Sequence, residues 1–195
     1  GKPYYSSPFN RAYQSYRQSG SAFKYFVFLS ALENGMDLQT RVMDEPFHAG
    51  KWHPRNYDRV FRGELSLEQA FAYSVNTLAA RLTQKLGVSR IQEIATRLGL
   101  SQDQPNDLTI SLGVGDASLL ELTSAFAVVA RGGLSVTPYG ILQIKTRENK
   151  ILYRFGGIEP ERLLSSETAH SMQQMMQAVM AYGTGKNDRL DGFCA

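Results

Sequence analysis

The sequence predicts a mostly α-helical domain that carries one small β-hairpin. Ser66 with Gln69, Ser89 with Gln92 and Ser118 with Glu121 each make a capping-box pattern ahead of an apolar run. Gly87, Gly99 and Gly132-Gly133 stand where those runs should stop. Residues 139–146 and 150–155 read as two strands turning at Glu148-Asn149.

Taken in order, residues 1–20 are rich in Tyr, Ser, Gln and Arg without a helical period and are read as extended or loop. A helix should start near Gly20-Ser21 and run from Ala22 to about Glu33. Phe23, Phe26, Val27 and Ser30-Ala31 give it an apolar stripe, and Asn34-Gly35 a stop. Residues 36–63 contain Pro46, Pro54, Gly50 and Gly63 and no sustained period, which makes them a long irregular segment of the kind that usually covers or serves a site. Ser66 opens a helix to about Tyr73. A second helix follows from Thr77 to Leu86, Ser89 opens one that ends at Gly99, and Ser118 opens one through about Ala130. The last helix spans about Glu167 to Ala181, capped by Ser165 or Ser166 and ended by Gly183-Thr184-Gly185.

Composition excludes several classes. With 195 residues, 43% of them hydrophobic and 20% charged, the chain can bury a core and is not a disordered tail. Its longest apolar stretches, such as Phe23 to Leu32, fall short of the roughly 18 residues a spanning helix needs. Gly1-Lys2-Pro3-Tyr4 leads into no apolar run, so no secretory signal is expected there. The single cysteine, Cys194, excludes an internal disulfide. The net charge of +3 is a mild surplus near the N-terminus, too small to indicate a nucleic-acid partner.

Most candidate chemistry reads as ordinary structure. His48 and His53 lie in the irregular segment and His170 is remote. No HExxH, CxxC or carboxylate cluster accompanies them, so no metal is expected. A Cys194–His170 nucleophile has no further support. Gly113-Val114-Gly115 lacks the third glycine of a dinucleotide loop and is read as a turn, and Gly185-Lys186 lacks the hydroxyl residue of a phosphate loop.

One constellation remains. Ser21-Ala22-Phe23-Lys24 is an S-x-x-K tetrad and Ser74-Val75-Asn76 an S-x-N triplet. If Ser21 opens a helix, Lys24 lies one turn on along the same face and its amine can reach the hydroxyl. A lysine among Phe23, Phe26 and Val27 loses solvation, its pKa falls, and a neutral amine can take the serine's proton. The Ser21 N–H at a helix start can help hold an oxyanion. In a chain of this composition either pattern arises by chance roughly 0.6 times, so neither decides the matter alone.

The flanks are more specific. Phe9-Asn10-Arg11-Ala12, Gln14 and Arg17-Gln18-Ser19-Gly20-Ser21-Ala22-Phe23-Lys24 closely resemble the active-serine segment of class A (bifunctional) penicillin-binding proteins. The resemblance continues through Asp44-Glu45-Pro46, Trp52-His53-Pro54-Arg55-Asn56-Tyr57, Phe61-Arg62-Gly63-Glu64-Leu65-Ser66-Leu67 and Ala72-Tyr73-Ser74-Val75-Asn76-Thr77. Ser111-Leu112-Gly113, Glu121 to Phe126, Gly132-Gly133, Pro138-Tyr139 and Gly183-Thr184-Gly185 extend it over essentially the whole chain. Three departures stand out. Ser19 and Tyr25 occupy positions where the family often has proline, and none of the seven lysines begins the K-[ST]-G triplet of such enzymes.

The resemblance implies an α+β parent fold of the β-lactamase/transpeptidase type. This chain, residues 1–195, would be a single partial transpeptidase domain truncated at both ends, mostly helical with a small hairpin and lacking most of the central antiparallel sheet. Helix faces that the sheet would cover are then expected to stay exposed. A membrane anchor and a glycosyltransferase domain would precede Gly1, and the site would be extracytoplasmic, on the periplasmic face of the cell membrane. The implied activity is peptidoglycan D,D-transpeptidation on stem peptides ending in D-Ala-D-Ala, with an amine acceptor and with β-lactams as covalent inhibitors. The resemblance assigns Ser21 as nucleophile, Lys24 as its base, Ser74 as a proton relay and Asn76 as holder of Lys24 and of the acyl amide. Thr184 and Gly185 would support the site, and Trp52, Asn56 and Tyr57 would line the donor groove. No metal or organic cofactor is implied. Without a K-[ST]-G strand the chain alone is expected to be weakly active or inactive. A β-lactamase, a β-lactam sensor domain and a helical packing module without chemistry remain as alternatives.

Overall fold

The computed structural model describes residues 4–6 and 8–188. Its centre is helix α1 (Lys24–Glu33), entered through a 3-10 turn over Gly20–Phe23. Helices α3 (Asn76–Leu86), α4 (Val88–Arg97) and α6 (Ser166–Ala181) pack around α1, and the short α2 (Leu67–Ala72) packs on α6. Helix α5 (Leu119–Ala130) packs against α6 as well. The chain is therefore mostly helical, as its capping signals and apolar periods indicate.

The expected stripe on the first helix is wrong in one respect. Lys24 to Ala31 are buried without a break, so Tyr25, Phe28 and Leu29 are as enclosed as Phe26 and Val27. A helix wrapped by neighbours on every side needs no polar face. Tyr25 satisfies its hydroxyl by donating to the Ala125 carbonyl at 2.8 Å and stacks on Phe126.

Local capping explains two of the three expected boxes. Ser66 accepts from the Gln69 N–H while Gln69 reaches back to the Ser66 N–H, and Ser118 and Glu121 do the same for α5. Ser165 caps α6 by accepting from the Thr168 N–H at 2.9 Å. The Ser89 box does not form: α4 already begins at Val88, directly after Gly87 at φ +92°, so Ser89 is inside the helix. Replacing Ser118 by Ala should cost about 1 kcal/mol, whereas Ser89→Ala should stay within about 0.5 kcal/mol. Urea unfolding midpoints of the two variants would check this.

Three antiparallel strand pairs are present among the described residues. The hairpin of β5 (Gln143–Lys145) and β6 (Ile151–Arg154) falls where the sequence puts it, with Asn149 at φ +65° in the turn. The other two pairs are not legible locally. Strand β1 (Tyr16–Gln18) pairs with β4 (Asp116–Ser118), and β2 (Arg41–Asp44) with β3 (Gly63–Ser66), aligning Asp44 with Gly63. Residues 36–63 are thus not irregular throughout: two strands clamp the ends of a loop over residues 45–62. Strands of three or four residues are too short to show alternation. Large exposed apolar side chains gather on the hairpin, at Ile141, Leu142, Ile144, Ile151, Leu152 and Tyr153, more than on helix faces, where Leu119 and Leu120 at the start of α5 are exposed. Among the described residues no helix is long and apolar enough to cross a membrane.

Candidate active site

Ser21 sits in the 3-10 turn and Lys24 is the first residue of α1. Three residues apart in a 3-10 turn, their side chains eclipse, and the Lys24 Nζ lies 3.3 Å from Ser21 Oγ. The turn is seated by backbone bonds from far along the chain. The Gly20 N–H donates to the Gly113 carbonyl at 3.0 Å and the Ser19 N–H to the Gly115 carbonyl at 3.2 Å. Gly113 has left-handed backbone at φ +70°, the turn read from the sequence.

The S-x-N triplet arrives from the connection between α2 and α3. Ser74 has φ +53°, unusual for a residue with a side chain. Such backbone costs of order 1–3 kcal/mol and persists where surroundings over-determine it. The gain is that both its carbonyl and its hydroxyl face Lys24, accepting from Nζ at 2.6 and 2.9 Å. Asn76 is the first residue of α3. Its Oδ1 accepts from Lys24 Nζ at 2.6 Å and its Nδ2 donates to the Arg55 carbonyl at 2.7 Å.

Lys24 is 2% exposed, and among the described residues no carboxylate pairs with it. Burial lowers its pKa from 10.5 to about 8. The four acceptors are of two kinds. The Ser74 carbonyl and Asn76 Oδ1 can only accept, so they hold two N–H groups in either protonation state. In the neutral amine the lone pair is then left to the hydroxyls of Ser21 and Ser74, which can donate. The site can therefore draw a proton from Ser21 and has a second hydroxyl in line to carry one.

A cleft of about 520 Å³ opens on this cluster, lined by Ser21, Ser74 and Asn76 together with Asn56, Tyr57 and Thr184. Tyr57 is fully exposed at its edge, while Asn56 is 5% exposed with its amide bound to protein groups. The Thr184 N–H donates to the Ala72 carbonyl at 3.0 Å, and a Cβ on Gly183 would sit 2.8 Å from the Ala72 carbonyl carbon, so this glycine is needed for close docking on α2. Trp52 and Gly185 are not among the lining residues. Trp52 pairs with Ala49 and packs edge-on to Phe47. Gly185 donates its N–H to the Val179 carbonyl at 3.1 Å.

The structure adds lining residues that sequence reasoning missed: Arg62, Tyr73, Tyr182 and Lys186. The Tyr73 and Tyr182 rings meet at 5.8 Å, and the Arg62 guanidinium lies 5.4 Å over Tyr73. Tyr182 donates to Glu68 at 2.6 Å. Desolvation and this neighbouring carboxylate push its phenol above the usual value. Tyr73 and Tyr182 directly precede Ser74 and Gly183-Thr184-Gly185, the only sequence signal for them.

The remaining candidates lie elsewhere. His48 and His53 place their Nδ1 atoms 2.6 Å apart in the loop, and His170 is exposed on α6. Among the described residues no group of three or more His, Cys, Asp or Glu could hold a metal ion. Cys194 lies outside the described residues.

The family model described as penicillin binding protein transpeptidase domain matches residues 2–193. Penicillin-binding protein 1A of Neisseria meningitidis serogroup A is 32% identical over 95% of the chain, and that of Pseudomonas aeruginosa 34% identical over 79%. The chain spans only 25% and 20% of these relatives' lengths. Penicillin-binding protein 1A from Haemophilus influenzae superposes with a TM-score of 0.87 at 25% identity, over 94% of this chain and 34% of that one. Penicillin-binding protein A of Mycobacterium tuberculosis, solved as an imipenem acyl-enzyme complex, shares the fold with a TM-score of 0.84 at 20% identity, over 94% of this chain and 48% of that one. On the motifs, the fold and these matches together, the chain belongs to the penicillin-binding protein transpeptidase family.

Proposed function

We propose that Ser21 is the nucleophile of a penicillin-sensitive D,D-transpeptidase acting in cell-wall synthesis, and that residues 1–195 form part of its transpeptidase domain. The observation that carries this reading is the Lys24 amine, buried and held by two carbonyl-type acceptors with its remaining valence facing two hydroxyls. Ser21 Oγ attacks the penultimate carbonyl of a stem peptide ending in D-Ala-D-Ala and gives its proton to Lys24. Ser74 passes a proton to the departing D-Ala amine, which leaves an acyl-Ser21. An acceptor amine from a second stem attacks that ester, and the proton returns to Ser21. The Ser21 N–H supports the oxyanion, Asn76 holds the acyl amide, and Thr184 with Tyr57 borders the donor strand. A β-lactam follows the first half of this path: its ring amide opens on Ser21 and the leaving nitrogen stays attached. The full-length protein would be membrane-anchored with this domain extracytoplasmic and a glycosyltransferase domain in the same chain.

The sequence carries no K-[ST]-G triplet, the source of a second oxyanion donor in this family. Losing one such donor costs about 10²- to 10³-fold in rate, so acylation of this chain should be slow. The test is intact mass after prolonged incubation with benzylpenicillin, beside Ser21→Ala. One stable adduct on the chain and none on the variant is expected. An adduct that survives Ser21→Ala would overturn the assignment, and a folded chain that forms no adduct would mean that acylation needs the K-[ST]-G strand. Rapid loss of the adduct would favour a β-lactamase.

A further inference from the structure

We propose that Asp44 is a positioning residue for the reacting lysine, acting through Asn56 and the first turn of α3. The inference rests on the reading of Lys24 as the base for Ser21. Asp44 ends β2, is 1% exposed, and has no ion-pair partner among the described residues. Every group bonded to its carboxylate is a neutral donor. Asn56 Nδ2 lies 3.0 Å from both oxygens, Thr77 Oγ1 2.5 Å from Oδ1, and the Arg62 N–H 2.9 Å from Oδ2.

Such a carboxylate does more than fill space. Together with the Val60 carbonyl, which accepts from the same Nδ2 at 2.8 Å, its two accepting oxygens fix which way the Asn56 amide points: Nδ2 toward Asp44 and Oδ1 away. Asn56 Oδ1 then accepts from the backbone N–H of Asn76 at 3.0 Å and of Thr77 at 3.4 Å. Those are the first two N–H groups of α3, and Val75 before them offers no side-chain cap. Asn56 is thus the cap of α3, supplied from 20 residues away. With its backbone held by Asn56 and its Nδ2 by Arg55, Asn76 has one way to aim Oδ1, at Lys24 Nζ. The route from Asp44 to Lys24 runs by hydrogen bonds through Asn56 to the Asn76 backbone, and from there covalently to the Asn76 amide, whose polarity the Arg55 carbonyl sets.

Asp44→Asn breaks that order while keeping the shape. One of the two acceptor oxygens becomes an NH₂, which meets Asn56 Nδ2 as a second donor and leaves Thr77 Oγ1 or the Arg62 N–H without its acceptor. Asn56 is then held by the Val60 carbonyl and one oxygen of residue 44 instead of two, which loosens the cap of α3 and the aim of Asn76 Oδ1 at Lys24 Nζ. By analogy with the outer-shell partners of metal ligands, whose loss typically costs about 10- to 100-fold, a fall of about tenfold in the acylation rate is expected. Asn76 Oδ1 also holds the ammonium form less firmly, so the Lys24 pKa should drop below that of the wild-type chain. The groups facing Nζ are Ser21 from the 3-10 turn, Ser74 from the α2–α3 connection and Asn76 from α3, none of them charged.

The experiment compares the chain with Asp44→Asn, Asn76→Ala and the double variant. Lys24 ionisation is followed by NMR of ¹³Cε-labelled lysine and acylation by benzylpenicillin adduct formation. Asp44→Asn should lower both, and in the Asn76→Ala background it should add nothing further. A folded Asp44→Asn chain with an unchanged Lys24 titration, or losses that multiply in the double variant, would show that Asp44 serves only the fold and overturn the proposal. If Asp44→Asn does not fold, Asn56→Ala cuts the same route at its next link and must shift Lys24 in the same direction; no shift overturns the proposal. The NMR readout needs no penicillin, so a failure of the transpeptidase reading is distinguishable from a failure of this one.

Discussion

Lys24→Met is expected to lower acylation by benzylpenicillin about 10²- to 10⁴-fold, the range a positioned general base contributes, while the chain stays folded. Methionine keeps most of the buried volume beside Phe23 and Phe26 but cannot take a proton from Ser21 Oγ. Its effect on stability is a balance. Holding the buried ammonium costs on the order of 3 kcal/mol, given a pKa lowered from 10.5 to about 8. Removing it leaves the Ser74 carbonyl and Asn76 Oδ1 without their donor, at about 1–3 kcal/mol. The terms nearly offset. The pH dependence separates base from scaffold. The wild-type rate should rise with pH through about 8, as the amine becomes neutral, and flatten above it. Stability has its own slope. Below pH 8 Lys24 is protonated in both states and the cost is full. From pH 8 to 10.5 the unfolded chain still binds the proton that the folded chain has released, so the wild type gains stability relative to Lys24→Met as pH rises. Adduct formation by mass and unfolding free energies at pH 7 to 10 would check both slopes. A Lys24→Met chain that acylates at the wild-type rate would remove Lys24 from the mechanism.

Gly113→Ala is expected to lower both stability and acylation, although Gly113 is 92 residues from Ser21 in sequence. A Cβ there would lie 2.6 Å from the Gly20 nitrogen and 2.7 Å from its carbonyl carbon, and closer still to its oxygen. All are backbone atoms of the turn that carries Ser21, so no side chain can give way. Left-handed backbone at φ +70° adds its own cost. Destabilisation of about 2–4 kcal/mol is expected, in the range of overpacked cores with backbone strain. Displacing the turn by about 1 Å should cost on the order of 10² in acylation. Gly132→Ala is the control: φ is +64° there, yet nothing lies within 4 Å of the new Cβ. It should show only about 1 kcal/mol of backbone strain and an unchanged rate of adduct formation. Equal effects of the two substitutions would mean that the close approach to Gly20 does not seat Ser21.

How much was legible depended on the distance over which each feature is built. Ser66, Ser118 and Ser165 mark helix starts because a cap is closed within three residues of its own N–H partner. Ser21 and Lys24 meet for the same reason. Ser89 misled because Gly87 had already let the chain turn into a helix at Val88, and two adjacent local signals cannot both be used. Trp52 and Gly185 carried family motifs, yet their motifs do not say which side of a loop or turn faces the cleft. Asp44 lies in a family motif and Tyr182 beside one, yet neither reads as a site residue, since an acid or a tyrosine looks the same whether it is solvated or bonded inside.

The sequence by itself determined the helices, the caps at Ser66, Ser118 and Ser165, the hairpin turn at Asn149 and the pairing of a serine with a lysine one turn away. Only the tertiary structure decided that this lysine is enclosed, and that Ser74 and Asn76, 50 and 52 residues on, bind it. It also decided that Gly113 seats the reacting turn and that Asp44 stands behind Asn76. Hydrogen bonds that close within a few residues follow from residue type and backbone geometry alone. Those that join distant segments exist only once packing around α1 has fixed where each segment lies.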